Sequence, residues 1–192
     1  NSLPAIAPFF TSPNPQLREA AVTTLRYLNQ VKQCPPALSL ITDADETVRR
    51  STALTLGHLT DESVISRLTT AIATDPDWQV RRNAAQSIAL HAQPETLPVL
   101  KTALTDELWQ VRKAALQAMQ KIPGADCVAA IAPMLTDDSS EVRKEAAITL
   151  GVLGDPAALS VLQQAIDDPD REVSIRAERA IRNIQQVSPS NA

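Results

Sequence analysis

Aromatic residues are nearly absent from this chain. Two Phe, two Trp and one Tyr make up 3% of its 192 residues. A single deep core of that size ordinarily draws on several buried rings, the side chains with the largest apolar area. The core is therefore expected to consist of Ala, Leu, Ile and Val in thin, regular layers of helix, and an aromatic-rich β-sandwich is disfavoured. Glycine is scarce too. Four residues leave little for phosphate-cradling loops, and neither GxGxxG nor GxxxxGK(S/T) occurs. Two cysteines, Cys34 and Cys127, cannot make a disulfide framework. The longest apolar run, Cys127 to Leu135, is far too short to span a bilayer, and no signal-peptide pattern opens the chain. An excess of basic charge is also missing. The net charge of −4 and the pI near 5.2 argue against a wholesale nucleic-acid binder. These absences lead to the expectation of a soluble, cytoplasmic chain with no nucleic-acid partner and no membrane insertion.

What is present is an internal repeat. The pair Val-Arg recurs at Val48-Arg49, Val80-Arg81, Val111-Arg112 and Val142-Arg143, with Leu17-Arg18 before and Val173-Ser174 after. Successive anchors are 31, 32, 31, 31 and 31 residues apart. A fixed period of this size is the signature of a repeat architecture. Six units are expected at approximately 4–32, 33–61, 62–93, 94–124, 125–155 and 156–187, forming one domain over residues 1–187. The tail, 188–192, is expected to be disordered.

Take each anchor as position 0. An aliphatic residue or Met recurs at +8 (Leu25, Leu56, Ile88, Met119, Leu150, Ile181). Another aliphatic recurs at +11, except in the third unit, where His91 stands. Position +4 is always Ala or Thr. Positions 0, +4, +8 and +11 fall on one stripe of a 3.6-residue helix, and the small +4 residue lets a neighbouring helix approach. A second apolar periodicity precedes each stripe, as in Ile65/Leu68/Ile72 and Leu97/Leu100/Leu104. Each unit therefore reads as helix, short turn, helix.

The turns have their own chemistry. Asp stands five residues before the anchor at Asp43, Asp75, Asp106, Asp137 and Asp168, with Ser12 in the first unit. These residues are expected to cap the second helices, with Pro13, Pro76 and Pro169 just inside the helix, where a missing N–H does no harm. Gly154-Asp155-Pro156 reads as a helix stop and a new start, and Pro35-Pro36, Pro94 and Pro123-Gly124 mark other junctions. Gly57 and Gly151 share position +9. Arg49, Arg81, Arg112 and Arg143, at +1, flank the stripe within reach of the turn Asp of their own or the next unit. An acid and a base repeated in unit after unit point to a structural ladder of charge-assisted hydrogen bonds rather than to catalysis.

The pattern D-x-x-x-x-V-R-x-x-A-A-x-x-L-G-x-L-G is clearest from Asp137 to Gly154, and recurs over Asp75–Ala89 and Asp106–Met119. It resembles HEAT repeats, and most of all the short HEAT-like subclass named after phycobilisome lyases. The resemblance implies an all-α fold, a right-handed α-solenoid of six two-helix units. The ankyrin TPLHxA and tetratricopeptide WxxLGxxY patterns are absent. Relatives of the subclass include subunits of bilin lyases, which attach or detach linear tetrapyrroles on phycobiliproteins. Others are non-lytic helpers of phycobilisome assembly or degradation, or accessory domains of larger signalling proteins. The iron-binding His-Glu pairs of deoxyhypusine hydroxylase are missing, because neither His58 nor His91 precedes Glu. The acidity of the chain argues against the HEAT-like DNA glycosylases.

In such a stack the second helices line the concave surface. At +2, Arg50, Arg82, Lys113 and Lys144 present a cation in four consecutive units. Gln86 and Gln117 stand at +6, Arg179 and Arg182 lie at +6 and +9 of the last unit, and Arg26 lies at +9 of the first. One reading is a basic groove for an acidic partner protein; the other is a solvated face balanced by turn carboxylates. Trp78 and Trp109, both at −2, either cover the repeat interface or form an aromatic hot spot at the groove rim. Tyr27, Leu54, His58 and Leu90 are expected to offer apolar contacts on the same face. His91 is expected to be a hydrogen-bonded histidine near a helix end. Cys34 and Cys127 have no CxxC or CxxH neighbour, so no metal site is expected within the chain, nor any cofactor. The expected function is a non-catalytic protein-interaction scaffold or adaptor, with a phycobiliprotein or another photosynthetic component as partner. The alternatives are a bilin lyase subunit and the HEAT-repeat sensor domain of a larger signalling protein, for which an opening on Asn1 rather than Met leaves room.

Overall fold

The computed structural model describes residues 3–28, 31–122 and 126–187. The tail 188–192 and the Pro123-Gly124 junction lie outside the described residues. Among these residues there is no strand, and the fold is an all-α solenoid of helix pairs. Contacts divide the chain into two compact units, residues 1–99 and 100–192.

In the first unit, α1 (Leu3–Ile6) pairs with α2 (Pro15–Tyr27), α3 (Pro35–Ser39) with α4 (Glu46–Leu56), and α5 (Val64–Thr74) with α6 (Trp78–His91). α7 (Leu97–Ala103), inside which the division falls, is followed by α8 (Trp109–Met119). In the second unit α9 (Cys127–Ile131) pairs with α10 (Ser140–Leu153), and α11 (Leu159–Gln164) with α12 (Arg171–Val187). The first helix of each pair is the shorter. Four of them, α1, α3, α9 and α11, tighten into a 3-10 turn at the C-terminal end. In two of these turns a proline, Pro8 or Pro133, sits at the start. Its missing N–H removes the i→i−4 bond that would continue the α-helix.

The second helices begin two residues later than the sequence suggested. The capping residues are Asn14, Asp45 and Asp77, which accept from the backbone N–H groups of Gln16 (2.9 Å), Thr47 (2.8 Å) and Gln79 (2.7 Å). In the second unit Asp170 accepts from Glu172 at 2.9 Å, while Leu108 and Ser139 hold the cap position without a side-chain bond. The Asp at −5 closes an Asx turn instead. Asp43, Asp75, Asp106, Asp137 and Asp168 each accept the N–H of the residue two further on, at 2.8–2.9 Å. Pro13, Pro76 and Pro169 therefore stand in the turn, ahead of the cap, and not at the first helical position. The carboxylate turns the chain first, and the free N–H groups of the helix then meet the next polar residue.

The aliphatic stripes form the core. Val48, Val80, Ala84, Leu56 and Ile88 are fully buried in the first unit, as are Val111, Val142, Val173, Ala146 and Leu150 in the second. Each large member contributes about 1.5–3 kcal/mol through its removal from water. Among the described residues Phe10 is the one fully buried aromatic ring. The anchor Leu17 differs from the others, being 42% exposed, because no helix pair covers that side among the described residues.

Adjacent second helices are pinned by a polar rung that the sequence did not announce. A hydroxyl at +7 donates to the carbonyl at +5 of the preceding repeat. Thr55 donates to Val22 (3.2 Å) and Ser87 to Ala53 (2.6 Å) in the first unit, and Thr149 to Leu116 (3.3 Å) in the second. Gly151 serves the same close approach, since a Cβ there would lie 2.8 Å from the Cα and Cβ of Ala180 in α12.

Candidate functional site

The turn aspartates and the +1 arginines build the ladder between successive repeats. In the first unit, Arg18 donates Nε and Nη2 to the two carboxylate oxygens of Asp43 at 2.7 and 2.8 Å. Arg49 does the same to Asp75 at 2.9 and 3.2 Å. In the second unit Arg112 grips Asp137 at 2.7 and 2.7 Å, and Arg143 grips Asp168 at 2.7 and 3.0 Å. The remaining guanidinium nitrogen turns back to its own turn. Arg49 Nη1 reaches the carbonyl of Asp43 (2.9 Å), Arg81 that of Asp75 (2.9 Å), Arg112 that of Asp106 (2.7 Å) and Arg143 that of Asp137 (2.9 Å). One fork thus joins the turn of one repeat to the turn of the next, a geometry a lysine could not reproduce. The guanidinium bonds outweigh the opposing effect of burial, holding Asp43 and Asp168 below the usual carboxylate range and raising Arg18, Arg49 and Arg143. Arg18 is a full member of the ladder, and the pair Leu17-Arg18 was its signal.

Three of the four +2 cations, Arg50, Lys113 and Lys144, meet carboxylates. In the first unit Arg50 donates to Asp77, the cap of the next second helix, with Nε at 3.0 Å and Nη2 at a close contact, and also meets Glu46 at 3.5 Å. Its bonds lower Asp77. In the second unit Glu141 bridges Lys113 at 2.6 Å and Lys144 at 2.5 Å. The two ammonium groups pull its carboxyl down to about 2. Arg182 meets Glu178 at 3.5 Å. Gln117, expected to face a partner, donates to the buried Glu145 at 3.0 Å, and Gln120 to the same carboxylate at 2.8 Å. Gln86 is exposed.

Arg82 is the exception within the +2 column. It has no carboxylate partner among the described residues. Its guanidinium lies 5.2 Å from the centroid of the Trp78 ring, and Nε and Nη2 donate to Asn83 Oδ1 at 3.1 and 2.9 Å. Asn83 in turn donates to the carbonyl of Arg50 at 3.1 Å. Ring and amide together hold this cation in place. On the same face of the first unit, Tyr27 and Leu90 are 72% and 62% exposed, His58 is exposed and Leu54 is half-buried. Arg26 lies 5.5 Å over the Tyr27 ring. In the second unit Arg179 is exposed and has no ion pair among the described residues. Trp109 is partly exposed; it and Trp78 fall in different units.

His91 lies 3.3 Å from the carbonyl of Leu56, beside the end of its helix. Both thiols are buried and free, and burial pushes that of Cys34 up, away from the reactive thiolate. No cluster of His, Cys, Asp or Glu able to hold a metal occurs among the described residues. No helix among them is long and apolar enough to cross a membrane.

The HEAT-repeat family model matches residues 3–89, 65–126 and 97–182. The chain belongs to the HEAT-repeat family. A search of curated proteins finds no match. Solved structures share the fold of this HEAT-repeat chain. One is an engineered protein, 22% identical over 97% of each chain, with a TM-score of 0.67. Another is a designed armadillo repeat protein in complex with the peptide (KR)4, 19% identical over 96% of this chain and 100% of that one, with a TM-score of 0.67. A third is the complex of CpcE and CpcF of phycocyanin lyase from Nostoc sp. PCC7120, 24% identical over 90% of this chain and 73% of that one, with a TM-score of 0.68. The ladder and the +7 rungs explain how such a stack holds its register.

The residues that sequence reasoning missed share one trait. Asp77, Glu141 and Glu145 each act on a side chain of the preceding repeat. Only the −3 column, Asn14, Asp45, Asp77, Ser139 and Asp170, carried a signal visible in the chain itself.

Proposed function

We propose that this HEAT-repeat array is a non-catalytic protein-recognition scaffold whose second-helix face takes an acidic segment of a partner protein. The observation that carries the reading is in the first unit. There an uncompensated, pre-positioned guanidinium, Arg82 over Trp78, shares a face with the exposed side chains of Leu90 and Tyr27. Arginine and aromatic groups that are already ordered lose little entropy on binding, and such residues dominate interface energetics. A repeat stack offers an extended surface rather than a deep pocket, which suits a protein segment.

The ion pairs refine the test. Glu141 engages the ammonium groups of both Lys113 and Lys144, so Lys113 is held in an ion pair and is less available than Arg82 for direct contact with an acidic partner. Arg82→Glu should weaken capture of the partner by about tenfold, the scale of one charge-assisted contact. Lys113→Glu should change it by less than about threefold. Affinity capture on the immobilised chain, followed by titration of the captured partner against both variants, measures this. Equal effects of the two substitutions would refute the placement of the site.

A second reading is a bilin lyase subunit acting on phycobiliproteins. It is supported by the resemblance of the repeat pattern to the phycobilisome-lyase subclass and by the likeness to the phycocyanin lyase complex. Mixing the chain with phycocyanobilin and an apo-phycobiliprotein tests it through zinc-induced bilin fluorescence on the denatured product. Absence of covalent bilin above the background rate, with and without a second array subunit, would exclude this reading.

A further inference from the structure

On the turn side of the first unit, between α3 and α5, lies a cleft of about 540 Å³ that the proposed recognition face does not use. That volume is within the range of small-molecule sites, roughly 300–1,000 Å³. Its apolar lining comes from Ile41, Ala71 and Pro76. The ladder groups Asp43 and Asp75 also reach it, but Arg18 and Arg49 already compensate their charges. The remaining charge is Arg67. It is half-buried, and its Nε and Nη1 donate to Ser63 Oγ and to the carbonyl of Leu38, both at 3.3 Å. It makes no ion pair among the described residues. Asp61 feels it only through space, while its own carboxylate is held down chiefly by the N–H and hydroxyl of Ser63. Arg67 is therefore the one charged group of the lining without an ion-pair partner among the described residues.

The hydroxyls on its rim cannot share the work of binding an anion. Ser66, Thr70 and Thr74 each donate to a backbone carbonyl at 2.9 Å, and Thr42 does so at 3.1 Å, so their protons are already engaged. Arg67 keeps N–H groups that bond to no protein acceptor, including those of Nη2.

The second unit contains a cleft at the corresponding turn, also of about 540 Å³. There Val161 lines the wall from α11, and Asp138 and Asp167 join the compensated Asp137 and Asp168. Neither Asp138 nor Asp167 has an ion-pair partner among the described residues. This cleft thus carries two carboxylates without an ion-pair partner among the described residues, although its volume is similar.

We infer that the cleft between α3 and α5 binds a small aliphatic monocarboxylate. The carboxylate sits on the free Nη2 side of Arg67, and the stem lies against Ile41, Ala71 and Pro76. The guanidinium supplies a charge-assisted contact that is already positioned, and the apolar lining supplies the burial. The cleft of the second unit rejects the same ligand by charge.

Titration of the isotope-labelled chain with octanoate, and separately with octylamine, tests the assignment by amide chemical shifts. Octanoate should shift Ala71 and Thr74 saturably and leave Ala165 and Asp168 unmoved. Octylamine should not shift the first pair. Arg67→Gln should weaken octanoate by about tenfold, with circular dichroism confirming its fold. Equal shifts with octylamine, equal shifts in both clefts, or an unchanged affinity in Arg67→Gln would each overturn the inference. So would binding of an acidic peptide such as acetyl-Leu-Asp-Leu-amide with no binding of octanoate. Should Arg67→Gln fail to fold, the two probes on the wild-type chain still decide.

Discussion

Replacing Gly151 by alanine probes the closest helix approach in the second unit. Gly151 lies within α10, so alanine meets no backbone penalty there. At an open helical position the change would stabilise by about 1 kcal/mol through lower backbone entropy in the unfolded chain. Here the new Cβ would lie 2.8 Å from both Cα and Cβ of Ala180. Carbon atoms pack at about 3.5–4.0 Å, so α10 and α12 must separate by roughly 1 Å. Neither obstructing atom is the tip of a flexible side chain. Overpacking of this kind costs about 1–3 kcal/mol, which leaves a net loss of about 1 kcal/mol after the propensity gain. Urea unfolding with an unchanged m value should show the loss as a lower midpoint. Adding Ala180→Gly removes one of the two clashing carbons, so the double variant should show a favourable coupling of about 1 kcal/mol. A midpoint that rises by the open-helix amount, with no coupling to position 180, would refute the packing argument.

Three further outcomes follow from local geometry. Ala92 ends α6 with φ 49°, while Gly154 ends α10 with φ 69° and has nothing near its missing Cβ. Ala92→Gly should therefore stabilise by about 1 kcal/mol and Gly154→Ala destabilise by about the same, the cost of a left-handed non-glycine residue, read as opposite shifts in melting temperature. Arg143→Ala removes the guanidinium donors of the mostly buried Asp168 carboxylate, which keeps only the Asp170 N–H, and of the Asp137 carbonyl. It should cost about 2 kcal/mol in chemical denaturation, and Arg143→Lys should recover less than half of that. Asp43, Asp77, Asp168 and Glu141 all have carboxyl pKa values lowered by folding. Their contribution is complete above the unfolded values near about 4 and is lost as pH falls through the folded ones. The melting temperature should therefore be flat with respect to these groups above about pH 5 and fall steadily toward about pH 2; a flat profile across that acid range would contradict the ladder.

The repeat was legible because its signal is periodic and local. Val48, Val80, Val111, Val142 and Val173 are fully buried, as the 3.6-residue stripe required. Leu17 shared the pattern but not the burial, since burial depends on what lies against a side chain and periodicity only says which way it faces. The caps show a finer limit. Asp43 and Asp45 are equally good capping residues in composition, and the choice between them was made by the Asx turn that Asp43 closes two residues earlier.

The scarcity of aromatics and the spacing of Val-Arg pairs by themselves determined the architecture: aliphatic layers between paired helices, repeated six times. Both depend on interactions within one repeat or on its identical copying. The charge of the candidate faces was decided only by tertiary structure. Arg50 and Arg82 occupy the same repeat position, yet Arg50 is neutralised by Asp77, 27 residues away, and Arg82 is held by Trp78 and Asn83 with no carboxylate. Stacking brings the second-helix start of one repeat against the second helix of the one before it. Whether a cation is free therefore depends on a side chain about one repeat further along the chain, where no local pattern reports it.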